Sequence, residues 1–108
     1  MDNTILRIWH VWASKEKADA FHDLFEEVIG TKIRAQHIDG FQDIQLVRRD
    51  VDGDVEFLII MRFDSIDAIK AFAGDNYENA IVPEKARAVL GHWDASALIF
   101  RRVAIIAQ

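Results

Sequence analysis

His10, a lone histidine in an apolar stretch, is the residue of this sequence best suited to chemistry. It stands between Trp9 and Val11 in the run Thr4 to Ala13. An imidazole in an apolar cavity can remove a proton near neutral pH. The structural alternative is an imidazole that hydrogen-bonds a buried group or sits at a strand rim. Trp12 shares strand parity with His10 and would line a pocket or staple its strand to the following helix. Tyr77 could donate a hydrogen bond to a substrate carbonyl, although a wall residue with a wet hydroxyl is the stronger reading. Arg87 could hold a carboxylate or an oxyanion, and a solvated helix charge is the commoner case. His92 and Trp93 could close a cavity mouth, and for Trp93 packing is the stronger reading. Asn76 is read as turn chemistry.

Other polar groups offer less. His22 and Glu26 are four apart on an expected helix, a spacing that can bind metal. With no third ligand nearby in sequence, a surface pair is the better reading, and no metal is expected. His37 falls near a helix end, where a cation is mildly favoured. Cysteine is absent, which excludes disulfides, thiolate catalysis and cysteine-ligated metal. There is no Gly-rich phosphate loop, nucleophile elbow or carboxylate dyad.

The elements that must position these residues follow from periodicity. Thr4 to Ala13 reads as a first strand. Ser14 can cap a helix whose stripe is Ala18, Phe21, Phe25, Val28 and Ile29. Gly30 is expected to interrupt that helix, which would resume to about Gln36. Asp39-Gly40 is a turn signal. Phe41 to Val51 and Asp54 to Phe63 read as two strands joined at Asp52-Gly53, a dipeptide suited to a type I′ turn. That turn sets Arg49 opposite Glu56 and Asp43 opposite Arg62. Gln42, Ile44, Leu46 and Arg48 then share a face with Phe57, Ile59, Met61 and Phe63. Ser65 can cap a second helix with Ile66, Ile69 and Phe72 as its stripe. Pro83 to Leu90 reads as a short helix stopped by Gly91, and Asp94 to Ile106 as the last strand.

The order strand, helix, strand, strand, helix, strand is the ferredoxin-like α+β arrangement, in one domain spanning 1–108. Helices cover one face of its antiparallel sheet. The other face, with Val47, Leu58, Ile60 and in one reading Trp9, is too apolar for water, which implies a homodimer. Thirteen basic against eighteen acidic residues give a net charge of −5, without a basic cluster longer than two. A nucleic-acid partner is therefore not expected. The apolar run Phe57 to Met61 is too short to span a bilayer, so no membrane partner is expected either. Met1 to Thr4 does not read as the start of a secretion signal, which makes the cytoplasm the expected location.

Several segments together resemble the antibiotic biosynthesis monooxygenase family. The main one is Phe63-Asp64-Ser65-Ile66-Asp67-Ala68-Ile69-Lys70-Ala71-Phe72-Ala73-Gly74-Asp75. Val82-Pro83-Glu84-Lys85-Ala86-Arg87, Asp39-Gly40-Phe41 and Arg7-Ile8-Trp9 fit the same pattern. The resemblance implies a dimeric α+β barrel with a ligand cavity between sheet and helices in each protomer. It also implies cofactor-independent oxygenation of a small aromatic or quinone-type substrate, with no cofactor. By alignment Ile8 faces the helices, which puts His10 in the cavity as the base. Trp12, Phe63, Phe72, Tyr77, Arg87 and Trp93 would then contact the substrate. A non-catalytic ligand-binding or regulatory barrel is the alternative. The sequence departs from the family where a strand-end tryptophan is Phe63 and where an asparagine of some oxygenases is Ile59. The positions that haem-degrading relatives need hold Ile8, Phe72 and Val82, none able to ligate iron or donate the required hydrogen bond.

Overall fold

Alternation along the first strand decides which side chains meet the helices. In the computed structural model, which describes residues 3–108, β1 (Ile5–Ser14) buries Arg7, Trp9, Val11 and Ala13 and leaves the intervening residues half-buried. Met1 and Asp2, the start of the stretch read above for a secretion signal, lie outside the described residues. The chain continues through α1 (Lys15–Leu24), a π-helical turn (Phe25–Ile29) and α2 (Gly30–Ala35). The hairpin of β2 (Phe41–Val51) and β3 (Asp54–Phe63) follows. Then come α3 (Ile66–Ala73), α4 (Glu84–Arg87), β4 (His92–Trp93) and β5 (Leu98–Arg101). The sheet is antiparallel in the order β2-β3-β1-β4, and β5 also pairs with β1.

The hairpin has the register that its turn dictates. Asp52 and Gly53 both have positive φ, 46° and 89°, as a type I′ tip requires. Arg49 pairs with Glu56 and Asp43 with Arg62, and both pairs are hydrogen-bonded ion pairs. One expectation fails near the far end. The register shifts between Phe41 and Asp43, so Gln42 is the extra residue of a bulge and does not join the core-facing row. Phe41 takes that place, its ring 5.7 Å from that of Phe63.

Helical packing seals one face of the sheet. Ala18, Phe21 and Phe25 of the first helical segment meet Val55, Phe57 and Ile59 of β3 within one core cluster. Phe21 and Phe57 pack edge to face at 5.0 Å, and each side chain so buried contributes roughly 1.5–3 kcal/mol. Gly30 does not break the helix: its φ and ψ of −62° and −39° are helical. The irregularity is the π turn just before it, and a Cβ on Gly30 would stand 3.2 Å from the Phe25 carbonyl. Ser65 caps α3 by accepting from the Ala68 amide at 3.0 Å. Ser14 precedes α1 without a side-chain cap bond. Of the expected last strand, Asp94 to Ile106, only Leu98–Arg101 is strand, and a separate two-residue strand, His92–Trp93, precedes it.

No helix among the described residues covers the opposite face of the sheet. Leu6, Ile8, Leu58, Ile60, Val47, Leu98 and Phe100 share it by strand parity. Val47, Leu98 and Phe100 are 40%, 48% and 50% exposed. Trp9 does not belong there. It pairs with Ile59 and is buried on the helix side.

Candidate functional site

Between the helices and the sheet lies a cavity of about 380 Å³. Its floor is made by the inward row of the strands: Arg7 and Trp9 from β1, Ile44 from β2, and Ile59 and Met61 from β3. Phe21, Leu24, Val28, Ile29 and Ile33 form the helical wall. Phe72 of α3 and the segment from Ile81 to Ala86 close the remaining sides. Val28 and Ile29, both in the π turn, stand together in this wall. Lys32, Gln36, Glu84 and Lys85 are exposed at the mouth.

The buried polar group of the floor is the Arg7 guanidinium. Its Nε donates to the Tyr77 carbonyl at 3.2 Å and its Nη2 to the Asn79 carbonyl at 2.9 Å. Cζ lies 5.6 Å from the centre of the Phe72 ring, within the range of a cation–π contact. Burial lowers the Arg7 pKa from its ordinary value, because desolvation penalises the charged form. Trp9 Nε1 donates to the Asp94 carbonyl at 2.7 Å, so the indole turns an apolar surface to the cavity with its donor satisfied.

Most of the site residues expected from sequence lie elsewhere. His10 is on the uncovered face, the opposite side of the sheet from the cavity, with Glu56 at 3.9 Å and Asp94 at 3.8 Å. There it borders a shallower depression of about 230 Å³ with Val47, Arg49, Glu56 and Leu58. Trp12 is on that same face, its ring 4.8 Å from His92. Both placements correct the expected parity, and Ile8 is likewise outward. The physical reason is the β1–β3 register, which sets Trp9 beside Ile59 and His10 beside Leu58. A strand read one residue out of phase exchanges its faces completely.

Of the six expected contact residues, Phe72 lines the cavity. Phe63 is fully buried behind it, 6.1 Å ring to ring, and supports it without reaching the open space. Tyr77 packs on the core and contributes its backbone carbonyl to Arg7. Arg87 is exposed on α4 and Trp93 packs beside Val11, neither of them lining the cavity. Arg7 was the residue that sequence reasoning passed over. Its signal was present: a charge in an otherwise apolar strand, two residues from Trp9.

His22 and Glu26 form a hydrogen-bonded pair on the helix surface, and no cluster among the described residues could hold a metal ion. The cavity lining also contains no histidine. The lining therefore offers no imidazole to a haem iron.

The arrangement of elements and the sequence now converge. A profile of the antibiotic biosynthesis monooxygenase family matches residues 4–89. The chain belongs to that family. This member has the same fold as several solved structures. A candidate antibiotic biosynthesis monooxygenase from Bacillus cereus is similar at 18% identity, with 98% of this chain and 99% of that one covered and a TM-score of 0.65. Another from Nitrosomonas europaea has 10% identity over 95% and 93% of the chains, with a TM-score of 0.67. A heme-degrading protein of Mycobacterium tuberculosis has 17% identity over 97% of each chain, with a TM-score of 0.62. At these identities the likeness concerns the fold. No curated protein gives a significant match to the sequence. No helix of this family member, among its described residues, is long and apolar enough to cross a membrane.

Proposed function

We propose that this family member takes a compact aromatic or quinone-type molecule into the cavity and oxygenates it without a cofactor. The observation that carries the reading is an apolar cavity of about 380 Å³ with a buried guanidinium in its floor. Aromatic walls from Trp9, Phe21 and Phe72 suit a flat ring, and few polar groups are needed to orient it. In such a reaction an acidic C–H or O–H of an anthrone or hydroquinone loses its proton. The resulting anion gives electrons to O₂. For an anthrone, one oxygen atom becomes the new carbonyl and the other leaves as water with the two hydrogens of the methylene. His10 lies across the sheet from this cavity, so it is not assigned the base. Glu84 at the mouth is the lining carboxylate able to accept the proton.

The absence of an imidazole from the lining favours a second reading, a pocket that binds its ligand without turnover. Oxygen uptake separates the two. A panel of anthrones and hydroquinones, without added metal or flavin, should give enzyme-dependent O₂ consumption. No turnover across the panel, together with ligand-induced thermal stabilisation, would establish the binding reading instead.

The same proposal includes a cytoplasmic homodimer built by the uncovered face, with residues 1–108 as one domain. Apolar residues occupy the centre of that face, and the Asp43–Arg62 and Arg49–Glu56 pairs lie towards its ends. An apolar centre inside a charged rim suits sheet-on-sheet association.

A further inference from the structure

The cavity contains a charge that the fold does not neutralise. Arg7 is only 3% exposed, yet its hydrogen bonds go to two neutral backbone carbonyls. None of the ion pairs among the described residues includes it. A buried ion without a counter-ion is costly to keep, and the lowered pKa of Arg7 reflects that cost. Its Nη1 makes no hydrogen bond, while no fully enclosed side-chain nitrogen or oxygen among the described residues lacks a partner. Nη1 therefore meets open space, and the space that Arg7 lines is the cavity.

Charge at the mouth points the same way. Lys32 and Lys85 stand there against a single carboxylate, Glu84. Arg7, Lys32 and Lys85 thus make the cavity cationic in a chain whose net charge is −5. Like charges that line a cleft with apolar walls concentrate ligands of the opposite sign.

We propose that the ligand enters as an anion, a flat aromatic acid whose ionised carboxylate, phenol or enol oxygen meets Nη1 of Arg7 while its ring lies against Phe72 and Trp9. This rests on the aromatic-cavity reading above and adds its specificity: Arg7 selects acidic arenes over neutral ones of the same shape. An arene already ionised on binding also needs no histidine beside it to lose that proton.

The test compares hydroxynaphthoquinone, whose acidic enol is ionised at neutral pH, with its neutral methyl ether. Each is titrated into the native protein and into Arg7→Met and Arg7→Lys by calorimetry. The native protein should prefer the anion by about tenfold or more, the size expected of a charge-assisted hydrogen bond. Arg7→Met should lose that preference, so that the two quinones bind with similar affinity, and Arg7→Lys should keep part of it. Circular dichroism checks that the variants fold. Should Arg7→Met not fold, Arg7→Gln takes its place in the same comparison. Equal native affinity for the two quinones, or an anion preference that survives Arg7→Met, overturns the charge assignment but leaves the aromatic cavity standing. If the native protein binds neither quinone, the cavity reading falls, and the charge assignment with it.

Discussion

Phe72 lies beneath the guanidinium of Arg7, its ring centre 5.6 Å from Cζ, and so joins α3 to the first strand across the cavity. The same ring packs on Phe63. One aromatic side chain thus forms a cavity wall, rests on the core and faces the buried cation.

Removing that ring should be costly in two ways. Phe72→Ala deletes half-buried aromatic surface and the cation–π contact, so a loss of about 2–3 kcal/mol is expected. Urea denaturation measures it. Phe72→Leu should recover most of the stability but not the aromatic-ligand affinity. A stability change below about 0.5 kcal/mol in Phe72→Ala would mean that the ring is not part of the packed structure.

The uncovered face should control assembly. Leu58→Asp or Ile60→Asp places a carboxylate at its apolar centre and should split or unfold a dimer, whereas Lys15→Asp on the surface of α1 should not. Light scattering after size exclusion reads the mass directly. A native protein that is monomeric at micromolar concentration rules out the proposed homodimer.

Two glycines test backbone against packing. Gly53 has φ of +89°, and a Cβ added there would meet nothing within 4 Å, so Gly53→Ala should cost only the backbone penalty of about 1–2 kcal/mol. Gly40 has φ of +87°, and there a Cβ would lie 2.2 Å from Asp64 Oδ1 and 2.9 Å from Ala68 Cβ. Gly40→Ala should therefore lower the melting temperature more than Gly53→Ala. The reverse order would contradict the close approach of the β2 entry to α3.

The Asp43–Arg62 pair should leave a mark in acid. The hydrogen bond from Arg62 lowers the Asp43 pKa; burial opposes it more weakly, and the positive charge of Arg62 adds a further lowering. A carboxylate whose folded pKa lies below its unfolded value stabilises the fold above the unfolded value. That stability is lost as pH falls through the folded one. The window is thus below the ordinary aspartate range, on the acid side of 3.8. The Asp43 side chain is 37% exposed, so solvent screening limits the coupling to about 0.5–1 kcal/mol. Asp43→Asn should lower stability at neutral pH by that amount and flatten the acid limb to match, so that the two proteins converge below the folded pKa.

His10 supplies a contrast to Phe72. Because it faces away from the cavity, His10→Gln should bind cavity ligands within a few-fold of the native affinity. Loss of binding to that variant, with the fold and assembly intact, would restore the imidazole to the site.

Local chemistry made much of the scaffold legible. Asp52-Gly53 carries its own turn geometry, so the β2–β3 register and both ion pairs followed from the dipeptide and strict alternation. Ser65 announced its helix because its side chain satisfies an amide three residues on. The family segment from Phe63 to Asp75 and the element order carried the fold. Tertiary contact decided the site. Which face of β1 meets the helices depends on pairing Trp9 with Ile59 and His10 with Leu58, contacts between residues far apart in the chain. No local propensity encodes that phase, because both faces of β1 are largely apolar and either could be buried. The bulge at Gln42 and the π turn at Phe25–Ile29 are further one-residue adjustments that packing selects. The sequence by itself therefore determined the α+β frame. Only the folded chain decided that Arg7, and not His10, stands in the cavity.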